Sequence, residues 1–134
     1  MKIEDHLRNI NESIESINDA VKKGIENKQR TLGFNCSVAS VEMLEVFLHK
    51  LELINPGAII KHEWFSSPRR VNEMIPYSFQ DKEKIISILC KIEEKRNILC
   101  YGKKQPISEM EFVLDLFYQA KSLFESNGLK WEIE

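Results

Sequence analysis

Apolar residues recur along most of the chain at the three- and four-residue steps of an α-helix. From Ile3 to Ile25 the steps alternate regularly and polar residues fill the gaps, which predicts a first helix to about Lys28 with one narrow buried stripe. From about Asn35 to Ile54 apolar residues surround most of the helix, as is typical of the centre of a bundle. The polar strip that remains on this second helix has four members: Glu42, Glu45, His49 and Glu52.

Two further long helices are predicted in the second half of the chain. One runs from about Asp81 to Leu99. The other runs from Ser108 to Asn127, because the tetrapeptide Ser-Glu-Met-Glu at its start has the pattern of a capping box and Gly128 follows its end.

The connection between the second and third long helices, from Pro56 to about Gln80, is long for a compact bundle. Within it, Ser67 before Pro68 is typical of a helix start, which predicts a short helix from Pro68 to Ile75. No strand pattern competes with these helices. The sequence therefore predicts one all-α domain over residues 1–134, an up-and-down antiparallel four-helix bundle with a short extra helix in the long connection.

Composition narrows the function classes. Nineteen basic against twenty-one acidic residues give a net charge of −2, so no global field attracts nucleic acid or an anionic membrane. Three cysteines without a close pair indicate a reducing cytoplasm and argue against a metal site. No apolar run approaches the roughly 20 residues that span a bilayer. We expect a cytoplasmic protein with no membrane segment, no metal and no organic cofactor.

Arg96 is the most unusual residue of the predicted core. The apolar stripe of the third helix passes through Ile92, and four residues further the same face carries Arg96. A buried guanidinium is costly unless something takes its donors. Three partners are open: the carbonyl groups at the helix end, the glutamate strip Glu42, Glu45 and Glu52 of the second helix, or the phosphate of a bound ligand. Only the third partner implies chemistry.

The dipeptide Arg96-Asn97, at the end of the third helix of a small four-helix protein, resembles the signature of the HEPN superfamily (higher eukaryotes and prokaryotes nucleotide-binding). The resemblance implies a homodimer in which the arginines of two subunits face each other. It also implies metal-independent RNA cleavage in a toxin-antitoxin or defence setting, in some members with a nucleotidyltransferase as partner. In this family a histidine follows the arginine by four to six residues. Here Tyr101 stands at that position, and no histidine follows.

The resemblance thus implies a divergent protein that binds RNA or nucleotide at Arg96, Asn97 and Tyr101, with weak or absent ribonuclease activity. Two histidines upstream are alternatives to the missing one. His49 lies one helical turn from Glu45, which is suitable for acid-base chemistry, and His62 in the long connection is less supported.

Basic residues could extend the site if the loops meet at one end of the bundle. They would bind phosphates without reading sequence, and they are Arg69, Arg70, Lys103 and Lys104. The alternative is that these residues are simply solvated. A second class of function also stays open, a non-catalytic dimeric helical interaction module that partners a nucleotidyltransferase or another protein, in which Arg96 is structural.

Overall fold

The computed structural model describes residues 1–132, and these residues form five α-helices and no β-strand, which confirms the all-α prediction. Two short 3-10 segments, Ile25–Asn27 and His62–Ser66, interrupt the connections. The helices are α1 (Ile3–Lys23), α2 (Gln29–Lys50), α3 (Pro68–Met74), α4 (Lys82–Tyr101) and α5 (Ile107–Ser126).

Helix α2 is the centre of the helical bundle. It packs against α1, α4 and α5, and α4 also packs against α5. Its apolar circumference is therefore covered within one chain, so this feature does not require a second copy. By length and composition α2 could cross a membrane, which the sequence prediction missed, but 67% of its apolar window is buried inside the protein, as in a core helix.

The helix boundaries differ from the prediction at two left-handed residues. Gly24, with a φ of 101°, ends α1 at Lys23, five residues before the predicted end. Helix α2 then begins six residues earlier than predicted and ends at Lys50. Glu52 has a φ of 57° and lies outside α2, so the predicted polar strip loses its last member.

Of the two predicted helix caps, the one at Ser67 is confirmed and the one at Ser108 is wrong. Ser67 caps α3 as predicted, because its hydroxyl oxygen accepts a hydrogen bond from the backbone N–H of Arg70 at 3.2 Å. The capping box at Ser108 is wrong. Helix α5 already begins at Ile107 after Pro106, without a side-chain cap, so Ser108 lies inside the first turn.

Candidate functional site

Arg96 points into the protein from the last turns of α4 and is only 7% exposed. Its Nη1 donates a hydrogen bond to Oγ of Ser37 on α2 at 3.2 Å. The guanidinium carbon lies 5.3 Å from the ring centroid of Phe34, which is a cation–π distance. Its buried Nε has no hydrogen-bond partner in the described residues. The guanidinium is therefore desolvated with part of its donor capacity unused.

The structure answers the question of which internal partner Arg96 has. Within residues 1–132 it forms no ion pair, and its one side-chain hydrogen bond goes to Ser37 rather than to a helix-end carbonyl. Glu42 and Glu45 are engaged by His6 instead. Neither structural partner expected from the sequence is thus the one that Arg96 uses.

Arg96 lines a cavity of about 660 Å³ between α1, α2, α4 and the long connection. A larger groove of about 880 Å³ runs between α4 and α5, but it contains none of the predicted site residues. The smaller cavity is the better candidate site because buried charged groups converge on it. Its polar lining includes His6, Glu42, Glu45, His62 and Arg96.

His62 is held in this cavity by a buried carboxylate. Its Nδ1 lies 2.9 and 3.0 Å from the two carboxylate oxygens of Glu93, which is 5% exposed. The other ring nitrogen, Nε2, is the one left for a ligand, and it lies 3.4 Å from the exposed carboxylate of Glu63. Glu93 precedes Arg96 by three residues on α4, so the same helix face holds the arginine and orients the histidine.

The pairing of His62 with Glu93 was not predicted from the sequence, although one signal indicated that Glu93 has a partner. Glu93 stands beside Ile92 on the buried stripe of α4, where a carboxylate needs a partner. The partner comes from the long connection, thirty-one residues earlier in the chain. No periodic pattern in the sequence indicates a contact between residues so far apart in the chain.

Asn97 and Tyr101 lie on a different face of α4 from Arg96. Both are exposed, Tyr101 by 73%, and their spacing of four residues places them on one outward face. Arg96 and Tyr101 are about 140° apart around the helix. Within one chain, the structure therefore does not bring the three predicted catalytic residues together in the cavity.

The four predicted phosphate-binding residues are exposed and form two separate pairs. Arg69 and Arg70 begin α3, and Arg69 pairs with Glu73 at 3.2 Å. Lys103 and Lys104 follow the end of α4. In the described part of the chain no hydrogen bond or ion pair links one pair to the other.

A second polar cluster lies where α1 crosses α2. His6 is 4% exposed, with Nδ1 at 3.2 Å from Glu42 and Nε2 at 3.0 Å from Glu45. Burial raises the pKa of Glu42 to about 7 and also raises the pKa of Glu45. It lowers the pKa values of His6 and His49. His49 lies one turn from Glu45, as the sequence predicted, and its ring centroid is 5.9 Å from that of His6.

In comparisons with protein-family models, with curated proteins and with solved structures, nothing matches this chain.

Proposed function

We propose that the chain binds RNA or a nucleotide by a phosphate group seated on Arg96. The observation that supports this proposal is a guanidinium, only 7% exposed, that lines a cavity and has no carboxylate partner in the described residues. It agrees with the resemblance of Arg96-Asn97 to the HEPN superfamily. On this proposal the five helices are a divergent form of that up-and-down four-helix bundle.

The physical argument rests on the cost of burying a charge. Ser37 is a neutral partner, and Phe34 offers only the face of its ring. A guanidinium presents five donors in a planar fork, and a phosphate accepts two of them at once. A ligand phosphate therefore stabilises the positive charge more than the present partners do, while a neutral ligand does not.

We further propose that His62, rather than Tyr101, supplies acid-base chemistry if the bound RNA is cleaved. In that reaction the 2′-hydroxyl oxygen attacks phosphorus and gives its proton to Nε2 of His62. The bond from phosphorus to the 5′-oxygen breaks, the 5′-oxygen takes a proton from a water molecule, and the products are a 2′,3′-cyclic phosphate and a 5′-hydroxyl. Arg96 would stabilise the charge that develops on the phosphate, and Glu93 would keep His62 oriented. This step needs no metal and is consistent with weak ribonuclease activity in a toxin-antitoxin or defence setting.

A second candidate, a dimeric interaction module, is favoured by apolar side chains at the rim of the same region. Phe34 beside Arg96 is 48% exposed, and Ile59, which lines the cavity, is 66% exposed. Exposed apolar groups around a partly buried charge are common in protein interfaces. A second copy of the chain or a nucleotidyltransferase would cover them, with Arg96 serving the interface.

The first proposal is tested with labelled single-stranded RNA in EDTA, measuring retention and cleavage together. Arg96→Ala is expected to weaken retention at least about tenfold, because a hydrogen bond to a charged group contributes about 1.5–3 kcal/mol. Arg8→Ala is the matched control, since Arg8 is exposed, is already paired with Asp5 and is not among the predicted phosphate-binding residues. The affinity of this control variant for RNA is expected to change much less.

Two results would contradict phosphate binding at Arg96. One is a folded wild-type protein that does not retain RNA at low salt. The other is an Arg96→Ala variant that retains RNA as well as the wild type does. Size-exclusion chromatography of the same samples tests the second candidate, because an interface role predicts that Arg96→Ala shifts the elution volume toward the monomer.

A further inference from the structure

The cluster at the crossing of α1 and α2 has an arrangement that the proposed function does not use. His6 comes from α1, and Glu45 and His49 lie one turn apart on α2. One ligand atom from each residue lies within 4.8 Å of the others. All three groups are oriented toward the same small volume inside the protein.

One ring nitrogen of each histidine in this cluster lacks a hydrogen-bond partner. Nε2 of His6 and Nε2 of His49 are buried, and neither has a hydrogen-bond partner in the described residues. His6 Nε2 lies 3.0 Å from Oε2 of Glu45, yet the two groups do not meet at a hydrogen-bonding angle. Two buried imidazole nitrogens beside a carboxylate therefore leave a polar site that a cation would complete.

Outer contacts orient two of the three groups. Nδ1 of His6 lies 3.2 Å from Oε2 of Glu42, so donation to that carboxylate would leave the lone pair of Nε2 facing Glu45. Oε1 of Glu45 accepts a hydrogen bond from the backbone N–H of Ile60 at 2.9 Å, which leaves its Oε2 toward His6. A carboxylate behind a histidine and a hydrogen bond behind a carboxylate are the usual outer partners of metal ligands.

We propose that His6, Glu45 and His49 form a binding site for a divalent first-row transition-metal ion, with Zn²⁺ as the best fit. Two imidazoles and one carboxylate are a frequent zinc donor set. Tetrahedral bonds of about 2.0–2.2 Å place ligand atoms about 3.5 Å apart, so three atoms that lie within 4.8 Å of one another need only a small inward shift to bind one ion. Three protein ligands leave a fourth position for water. His6 and Glu45 also line the cavity of Arg96, which gives that position a route to solvent.

The expectation of no metal rested on the cysteines, which form no close pair in the sequence. The three cysteines are free. The proposed ligands are instead His6 of α1 and two residues of α2, Glu45 and His49. His6 precedes Glu45 by thirty-nine residues, and only the packing of α1 on α2 brings the three together. This proposal does not depend on RNA binding by Arg96.

The test is direct metal binding by the full chain, without RNA. We expect purified protein to bind one equivalent of Zn²⁺ in competition with a chromophoric chelator, and its melting temperature to rise with added Zn²⁺. Co²⁺ in place of Zn²⁺ should give visible d–d absorption without a thiolate charge-transfer band, because no cysteine is a ligand. His49→Gln is expected to weaken Zn²⁺ binding at least about tenfold, as loss of a ligand does more than loss of an outer partner.

His62→Gln is the matched control, because His62 also pairs with a carboxylate but lies outside the cluster. It should bind Zn²⁺ as the wild type does. Wild-type protein that binds no Zn²⁺ and gives no Co²⁺ spectrum would overturn the proposal, whatever the variants do. Binding that gives a thiolate band, or that His49→Gln leaves unchanged, would overturn it as well. If His49→Gln loses Zn²⁺ binding but keeps RNA binding, and Arg96→Ala loses RNA binding but keeps Zn²⁺ binding, the metal site is separate from the proposed function.

Discussion

Phe124→Ala is expected to lower the free energy of unfolding by about 3–5 kcal/mol, the usual cost of removing a fully buried phenylalanine ring. Phe124 on α5 is 0% exposed. Its ring meets Phe47 of α2 with centroids 5.9 Å apart and Trp131 of the C-terminal segment at 6.4 Å, both edge to face. Truncation leaves a cavity where two helices and this segment meet. Urea unfolding followed by circular dichroism measures the change.

Phe112→Ala is the matched control, on the same helix. Phe112 is 46% exposed and contacts Lys95, whose Nζ lies 5.0 Å from its ring centroid. Exposed cation–π contacts contribute only about 0.5–1 kcal/mol, so this variant should lose little stability. Equal losses in the two variants would contradict the packing described here.

The second large effect concerns catalysis. If the chain cleaves RNA, His62→Gln is expected to lower the single-turnover rate about 10²- to 10⁴-fold, the usual contribution of a general acid or base. Glu93→Gln should also lower the single-turnover rate, because the amide no longer offers a charged acceptor to Nδ1 of His62. RNA retention should stay close to the wild-type level in both variants, since Arg96 is unchanged.

Glu63→Gln is the control for this prediction. Glu63 also lies beside His62, 3.4 Å from its Nε2, but it is exposed, with 69% of its side-chain surface accessible. Its replacement should leave the rate within about a factor of two to three, because exposed ion pairs contribute little. A cleaving protein whose rate does not respond to His62→Gln would remove His62 from the reaction, and loss of cleavage with Tyr101→Phe would then point to Tyr101.

The sequence predicted what depends on local periodicity. The all-α class, the cap at Ser67 and the placement of Arg96 on the buried face of α4 all follow from patterns within one helix. The ends of α1 and α2 were less predictable, because a left-handed residue lies at or just after each of them. Gly24 could be anticipated as a helix end, whereas a left-handed Glu52 could not, since glutamate rarely adopts that conformation.

The candidate site was harder to predict from the sequence than the fold, because its contacts join residues that are far apart in the chain. His62 reaches Glu93 from the long connection, and His6 reaches Glu45 from another helix. Pairing Arg96 with Glu45 was reasonable by charge, but the structure gives that carboxylate to His6 and to the backbone of Ile60. Helix packing, rather than spacing along the sequence, decides which acidic side chain pairs with which basic one.

An NMR titration of the arginine Nε–H signals with adenosine 5′-monophosphate tests whether Arg96 receives a phosphate. The Arg96 signal, assigned by its loss in Arg96→Lys, should shift and saturate, while the signal of Arg8, which is exposed and paired with Asp5, stays nearly fixed. Adenosine without phosphate should leave both signals unchanged. An Arg96 signal that does not move at saturating nucleotide, in a protein that remains folded, would contradict the claim and leave Arg96 as a residue of the bundle or of its interface.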